Sequence, residues 1–199
     1  MKNKKSNLSV RYNVVQVSRQ DALEKLKNHH LRRNPQVSYA FGLFDRTRGN
    51  KLVAVVTFGS PASPNIGRGL CGEDERLNVI ELNRLWADSS VSNDAITYFI
   101  KESLRRVPKE IIVSYVQPEH DRISRIYKHI GFIYTGLTKE RTDRVNFNGE
   151  SKHNRHNCYD KLNTYLAPRP RKHRFVLFNT EGQRKQELIK KLRYEPLAY

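Results

Sequence analysis

The stretch that most restricts the fold is RISRIYKHIGFIYTG, residues 122–136. Ile123, Ile126 and Ile130 fall on one stripe of a helix, Gly131 supplies its stop, and FIYTGL follows at once as a short apolar strand. A helix that ends in glycine and runs directly into a buried strand is a unit of a layered α/β domain.

The chain supplies further elements of that kind. Ser18 is placed to cap a helix over SRQDALEKLKNHH, with Leu23 and Leu26 on its apolar edge. VSYAFGLFD alternates as a strand, RTRGN turns, and KLVAVVTFG returns as its antiparallel partner in a hairpin. SPASPNIGRGLCGEDER, rich in Gly, Pro, Ser and charge, reads as a long functional or mobile loop. NVIELNRLWAD is a strand. From Asn93 onward, Ile96, Phe99, Ile100, Leu104 and Val107 recur at helical spacing, with Ser92 or Asn93 as cap and Pro108 as terminator. EIIVSYV is a buried strand that precedes the helix-glycine-strand unit. The order predicts an α/β fold: one mixed, mostly continuous central sheet flanked by helices.

Both ends differ from this core. Residues 1–12 are a basic tail, residues 13–138 the core domain, and residues 139–199 a basic extension, short in aliphatics and interleaved with aromatics, expected to pack partly on the core. Leu188, Ile189 and Leu192 support a short basic helix near its end. Across 199 residues, 37 Lys+Arg stand against 20 Asp+Glu, and the formal net charge of +17 points to a polyanionic partner. No stretch approaches the roughly 20 apolar residues that cross a bilayer. The lysines of MKNKKSNLSVRYNV lack the apolar run of a secretory signal. No membrane partner is expected, and the cytoplasm is the expected location. Cys71 and Cys158 fit no metal or redox spacing and read as reduced thiols. HNRHNC, carrying His153, His156 and Cys158, lacks a second ligand pair and reads as a polar loop.

The order of elements, closed by RISRIYKHIGFIYTG, resembles the GNAT acyltransferase superfamily over residues 13–138. Three stretches narrow the likeness: ELNRLWADSSVSNDAITYFIKESL, IIVSYVQPEHDRISRIYKHIGFIYTG, and HHLRRNP followed by FGLFD and LVAVVTFGSP. They resemble the phage Mom family of DNA-modification proteins, a GNAT-like branch, over most of the chain. This resemblance implies a GNAT-like core and an enzyme that converts adenine N6 in phage DNA to a carbamoylmethyl form. Such an enzyme would work in the host cell cytoplasm, protect the DNA from restriction and depend on iron. GNAT enzymes hold the coenzyme A diphosphate on backbone N–H groups of a glycine-rich turn at a helix start. Here that turn is ADSSVSND, which has no glycine and places Asp88 and Asp94 at the positive helix end. The turn argues against ordinary acyl-coenzyme A binding and agrees with the Mom-like branch. The small-molecule donor, acetyl-CoA or another group carrier, stays open.

The same resemblance nominates site residues. His29 falls on a histidine of the family and His30 on a tyrosine, so His29 or His30 is a candidate iron ligand, imidazole being suited to iron, with Asp143 as a carboxylate partner. Ser114 and Tyr115 end a strand where GNAT folds splay two strands apart and acceptor meets donor; the plainer alternative is packing. Tyr127 sits where GNAT enzymes often keep a general-acid tyrosine, with packing beside Ile123 and Ile130 as its rival role. Glu119 and His120 in QPEHD are placed to accept a proton from the amine of adenine, or else to charge and cap the following helix. Arg84 in ELNRLW takes Glu81 or Asp88 as a structural partner, or a substrate carboxylate or phosphate. Arg169, Arg171, Lys172 and Arg174 beside Phe175, together with Arg32 and Arg33, are candidate contacts to the phosphates of double-stranded DNA.

The expected activity is therefore modification of an adenine flipped out of duplex DNA. Two other classes stay open: a conventional acyl-CoA-dependent N-acyltransferase acting on a protein or small molecule, and a non-catalytic basic DNA-binding or anti-restriction protein.

Overall fold

The run Val53 to Val56 and Phe58 is buried without interruption, so side chains are covered on both faces of the strand that carries them. The structure, a computed structural model, describes residues 2–27, 35–147 and 163–198. In it that strand, β3 (Lys51–Gly59), lies inside a seven-stranded sheet. It pairs antiparallel with β2 (Tyr39–Asp45) and β4 (Val79–Ala87), and β2 pairs with β1 (Tyr12–Gln16) at the edge. β4 runs parallel to β5 (Ile111–Val116). Beyond β5 come β9 (His173–Phe178) and then β6 (Ile133–Leu137), each antiparallel to its neighbour.

Alternation along the strands sends residues to two faces. Ile80, Leu82 and Ile112 meet Ile96, Phe99 and Ile100 of α4 (Asn93–Leu104) and Ile126 and Tyr127 of α5 (Asp121–Ile130), with α1 (Lys2–Arg11) beside α4. Val79, Ile111 and Val113 face the other way, against Leu70 and Cys71 of α3 (Pro64–Cys71) and Leu188 of α6 (Gly182–Lys191). On that same side Ala22 of α2 (Arg19–Leu26) packs on Ala40 and Val55. The expected caps are in place: Ser18 Oγ accepts from the Asp21 amide at 3.1 Å and Ser92 Oγ from the Ala95 amide at 3.2 Å. Gly131 ends α5 at φ 107°, a left-handed conformation that a side chain would disfavour.

The structure departs from the sequence reading at three places. The stretch 60–76, expected as a loop, contains α3, which Ser63 caps and Pro64 opens; Gly67 and Gly69 had lowered its helical signal. The basic tail holds α1 and leads straight into β1, which Arg11 anchors through a bidentate contact with the buried Asp45, at 3.2 and 2.7 Å to the same carboxylate oxygen. Residues 139–199, expected as an extension partly packed on the core, send β9 into the interior of the sheet, between β5 and β6. The buried Phe175, Val176, Leu177 and Phe178 account for that placement. They also supply a separate two-stranded ribbon, β7 (Thr142–Asn146) with β8 (Thr164–Pro168).

The expected basic helix forms as α6, and charge clamps it to the body. Arg184 donates to Glu75 at 3.0 and 2.7 Å and to Glu110 at 3.0 and 2.8 Å, and Lys191 reaches Glu75 at 2.7 Å. These hydrogen bonds, Arg184's first, hold the Glu75 carboxyl down at about 2. Among the described residues no helix is long and apolar enough to cross a membrane.

Candidate active site

β4 and β5 are bonded only from Val79–Ile111 to Leu82–Ser114 and then separate. Two features drive them apart. The register of β3 against β4 shifts so that Thr57 faces Arg84 and Phe58 faces Leu82, leaving Asn83 as an extra residue in the manner of a β-bulge. Asn83 is fixed there, accepting from Thr57 Oγ1 at 2.6 Å and donating to the Gln36 carbonyl at 2.8 Å. Meanwhile β5 continues with β9 as far as Val116–His173. A cleft opens in the gap, lined by Leu82 to Leu85 on one side and Ser114 to Gln117 on the other, with His120, Ile123, Tyr127 and Lys172 completing it.

Ser114, Tyr115 and Tyr127, singled out from the sequence, meet here. Ser114 Oγ donates to the Leu82 carbonyl at 2.9 Å and lies 3.1 Å from the Tyr127 hydroxyl. A carbonyl only accepts, so the single Ser114 proton is committed to Leu82 and Tyr127 must donate to Ser114. Tyr127 also packs: its ring stacks on Phe132 at 4.6 Å and meets Phe175 edge-on at 5.6 Å. The packing role weighed for this residue is thus present, and its hydroxyl is bonded at the cleft floor. Burial pushes its phenol up to about 12 despite the bond to Ser114. Burial likewise raises Tyr115, with the nearby Glu81 carboxylate adding to the shift.

The cleft mouth carries charge that burial disfavours. Arg84 donates to the Asn83 carbonyl at 2.7 Å, and desolvation lowers its pKa against the pull of Glu81. Glu81, which accepts from the Ala62 amide at 3.3 Å, is raised by burial. Lys172 is lowered by burial while Glu81 opposes the shift. Of the sequence candidates in QPEHD, His120 lines the cleft and Glu119 is exposed on the adjoining turn Pro118–His120.

One cleft residue escaped the sequence reading. Gln117 Oε1 is buried on the cleft wall with no hydrogen-bond partner among the described residues. A buried, unpaired amide oxygen is costly, and such atoms in folded proteins call for a reason. No local motif announced it: the residue lies between a strand and Pro118, where a glutamine is unremarkable in sequence.

The basic cluster does not form one surface. Arg174 is turned to structural contacts, donating to Thr135 Oγ1 at 2.8 Å and to the Thr135 carbonyl at 2.7 Å and stacking over Tyr194 at 3.4 Å. Arg169 is paired with Asp143 at 2.7 Å. Lys172 belongs to the cleft, and Arg171 is the exposed member, bonded to the Thr138 carbonyl at 2.7 Å. Arg32 and Arg33 lie outside the described residues, as do His29, His30, His153, His156 and Cys158.

The iron expectation finds no support in the described residues. The Asp143 carboxylate, its proposed ligand, is engaged by Arg169 on both oxygens. Among the described residues no three His, Cys, Asp or Glu side chains are grouped to hold a metal ion. The start of α4 is also occupied by the chain's own groups. Ser92 caps it, Asp94 sits in its first turn, and Arg122 crosses it with bonds to Asn93 Oδ1 at 2.6 Å and the Val91 carbonyl at 2.9 Å. These residues do not fit a diphosphate cradle of the glycine-rich kind.

Comparison with known proteins agrees with this architecture. The chain is similar to Arabidopsis thaliana NAA60, solved in complex with acetyl-CoA, at 13% identity over 84% of this chain and 99% of that one, with a TM-score of 0.50. It is also similar to a "probable acetyltransferase" from Staphylococcus epidermidis, at 12% identity over 85% and 99% of the two chains, with a TM-score of 0.51. The fold is that of the GNAT acetyltransferases. No curated protein matches the sequence. The model of the Mom protein family matches residues 11–199, nearly the whole length, and the chain belongs to that family.

Proposed function

We propose that this protein is a transferase that modifies the exocyclic N6 amine of adenine in double-stranded DNA, adding a carbamoylmethyl group and so protecting the DNA from restriction. The observation that carries the reading is the cleft at the parting of β4 and β5, which brings Ser114, Tyr127, His120 and the Gln117 oxygen, unpaired among the described residues, around one small space. Family membership and the net charge of +17 support a DNA substrate.

The amine of adenine is a weak nucleophile because its lone pair is delocalised into the ring. A site for it must orient the N–H bonds and receive a proton as the new N–C bond forms. In this reading Gln117 Oε1 accepts one N6 hydrogen and orients the amine. The N6 lone pair bonds to the donor's methylene carbon, and the bond from that carbon to its leaving group breaks with the electron pair going to the leaving group. The His120 imidazole on the cleft wall receives the second N6 proton. Ser114 and Tyr127 form the rigid floor. The adenine reaches this space only when flipped from its stack. The donor is a small molecule carrying the carbamoylmethyl group through its methylene carbon on a leaving group, and the occupied start of α4 supports a hold on it unlike the diphosphate cradle of GNAT enzymes. Asp143, nominated as an iron ligand, is committed to Arg169.

Mass spectrometry of nucleosides from the DNA of expressing cells tests the proposal. A modified adenosine supports it. Unmodified adenine under good expression, in a host that supplies iron and the donor, refutes it. Binding of coenzyme A in calorimetry with no modified nucleoside would favour a conventional acyltransferase instead.

A further inference from the structure

Among the described residues, β7 and β8 bond to each other and to no strand of the main sheet. A lone two-stranded ribbon is marginal in water; here Asp143 to Asn146 are half-buried and Thr164 is buried, while Tyr165 and Leu166 of β8 stay exposed and invite a partner. The root of this ribbon is firmly tied. The Thr138 amide donates to the Lys172 carbonyl at 2.9 Å, the Lys172 amide to Thr138 Oγ1 at 3.0 Å, and the Arg169 amide to the Arg141 carbonyl at 2.8 Å. Because Lys172 also lines the cleft, the ribbon starts at the cleft mouth.

Its far end is apolar and exposed. Phe147 is 71% exposed, Leu166 57% and Tyr165 46%, and the Phe147 and Tyr165 rings lie 5.9 Å apart on one face. At its root Lys139, Arg141 and Arg171 are exposed, Arg171 lying 3.4 Å from the exposed Glu140 carboxylate, while the acidic Asp143 further along is neutralised by Arg169. Exposed cations leading to paired aromatic rings suit a polyanion that also offers flat apolar surface. Duplex DNA has both, and its major groove admits a two-stranded β-ribbon. From Thr138 to Phe147 an extended chain reaches at most about 30 Å, most of one turn of the double helix.

We propose that the β7–β8 ribbon is the element that seats this protein on duplex DNA. It lies in the groove beside the target base, with Lys139, Arg141 and Arg171 on phosphates and Phe147 and Tyr165 against sugar and base edges. This inference rests on the DNA-modification reading but concerns binding, which can be measured apart from modification.

The test is fluorescence anisotropy of the full chain with a labelled duplex of about two helical turns, across a salt series. K139Q/R141Q should weaken binding at least about tenfold at physiological salt and lower the salt slope by about two. F147S/Y165S should weaken it about tenfold with the slope unchanged. K185Q/K190Q, which removes equal charge from α6, should change affinity less than about twofold. These side chains are exposed except Lys185, which is half-buried, and unchanged thermal melting verifies folding. Ribbon variants that bind like wild type would overturn the inference, as would a control pair that costs as much, or a wild-type protein that binds protein partners but not duplex. Loss of duplex binding in the ribbon variants without any modified adenosine from wild type would sink the proposed reaction and leave the ribbon standing. Equal binding and equal modification by wild type and ribbon variants would do the reverse.

Discussion

The Tyr127 hydroxyl donates to Ser114 Oγ at 3.1 Å because the Ser114 proton is already given to the Leu82 carbonyl, at 2.9 Å. This short chain joins α5 to the point where β4 and β5 part, so the floor of the cleft and the packing of the core are one structure. Ser114→Ala strands two buried groups, the Tyr127 hydroxyl and the Leu82 carbonyl, whereas Tyr127→Phe strands neither. Denaturant unfolding should therefore show Ser114→Ala losing about 1–3 kcal/mol and Tyr127→Phe about 1 kcal/mol. The reverse order would contradict the assigned direction of the bond. The same burial keeps the phenol protonated, so phenolate absorbance lost on Tyr127→Phe should emerge only near pH 12.

Gln117 separates a functional residue from a structural one. Replacing it with Leu removes an unpaired buried acceptor, so stability should hold or rise. Modification should fall by at least about tenfold, the value of one lost hydrogen bond to a substrate held in a buried site. Parallel thermal melts and nucleoside assays check both halves. A variant that melts early and retains its activity would mark Gln117 as structural.

The Glu75 clamp predicts an acid-sensitive C-terminal helix. Its carboxyl sits at about 2 against an ordinary 4.5, so the folded state favours the ionised form. That contribution is present in full above the unfolded-state value and is lost as pH falls from about 4.5 towards about 2. Allowing for solvent screening of Arg184 and Lys191, it amounts to about 2 kcal/mol. Glu75→Gln should lower unfolding free energy by that order at pH 7 and by somewhat under half as much at pH 3. An equal loss at both values would show that packing, not charge, holds α6.

Gly59 permits a close crossing near the cleft. A Cβ at this position would lie 1.8 Å from the Gln36 carbonyl oxygen, the acceptor that also holds Asn83. Gly59→Ala must displace that segment and release the Asn83 amide. A destabilisation of about 1–3 kcal/mol is expected, with reduced modification. Wild-type melting would contradict the fixed position assigned to the bulge.

Local signals in the sequence were good guides where local chemistry decides structure. Ser92 and Pro108 bracket α4, and Gly131 ends α5, as their residue types require. Ser114 and Tyr127 were named separately through the family resemblance, and α5 lying against β5 brings them into hydrogen-bond contact. β9 was hidden: FVLF is only four residues long, follows a basic run, and takes its place between β5 and β6 through partners more than thirty residues away. Lys172 and Arg174 read as contacts to DNA phosphates because nothing local shows that a neighbouring strand turns them to the cleft and to Tyr194. Gln117 was invisible for a related reason. Its significance lies in a missing bond, and that can be seen only in three dimensions.

The most direct measurement is fragment-resolved mass spectrometry of nucleosides from DNA of cells expressing the wild-type protein or Gln117→Leu. The account predicts added mass on the exocyclic nitrogen of adenine with the wild type and at least about a tenfold loss with the variant. Added mass on another base, or none at all in a host supplying iron and the donor, would contradict it.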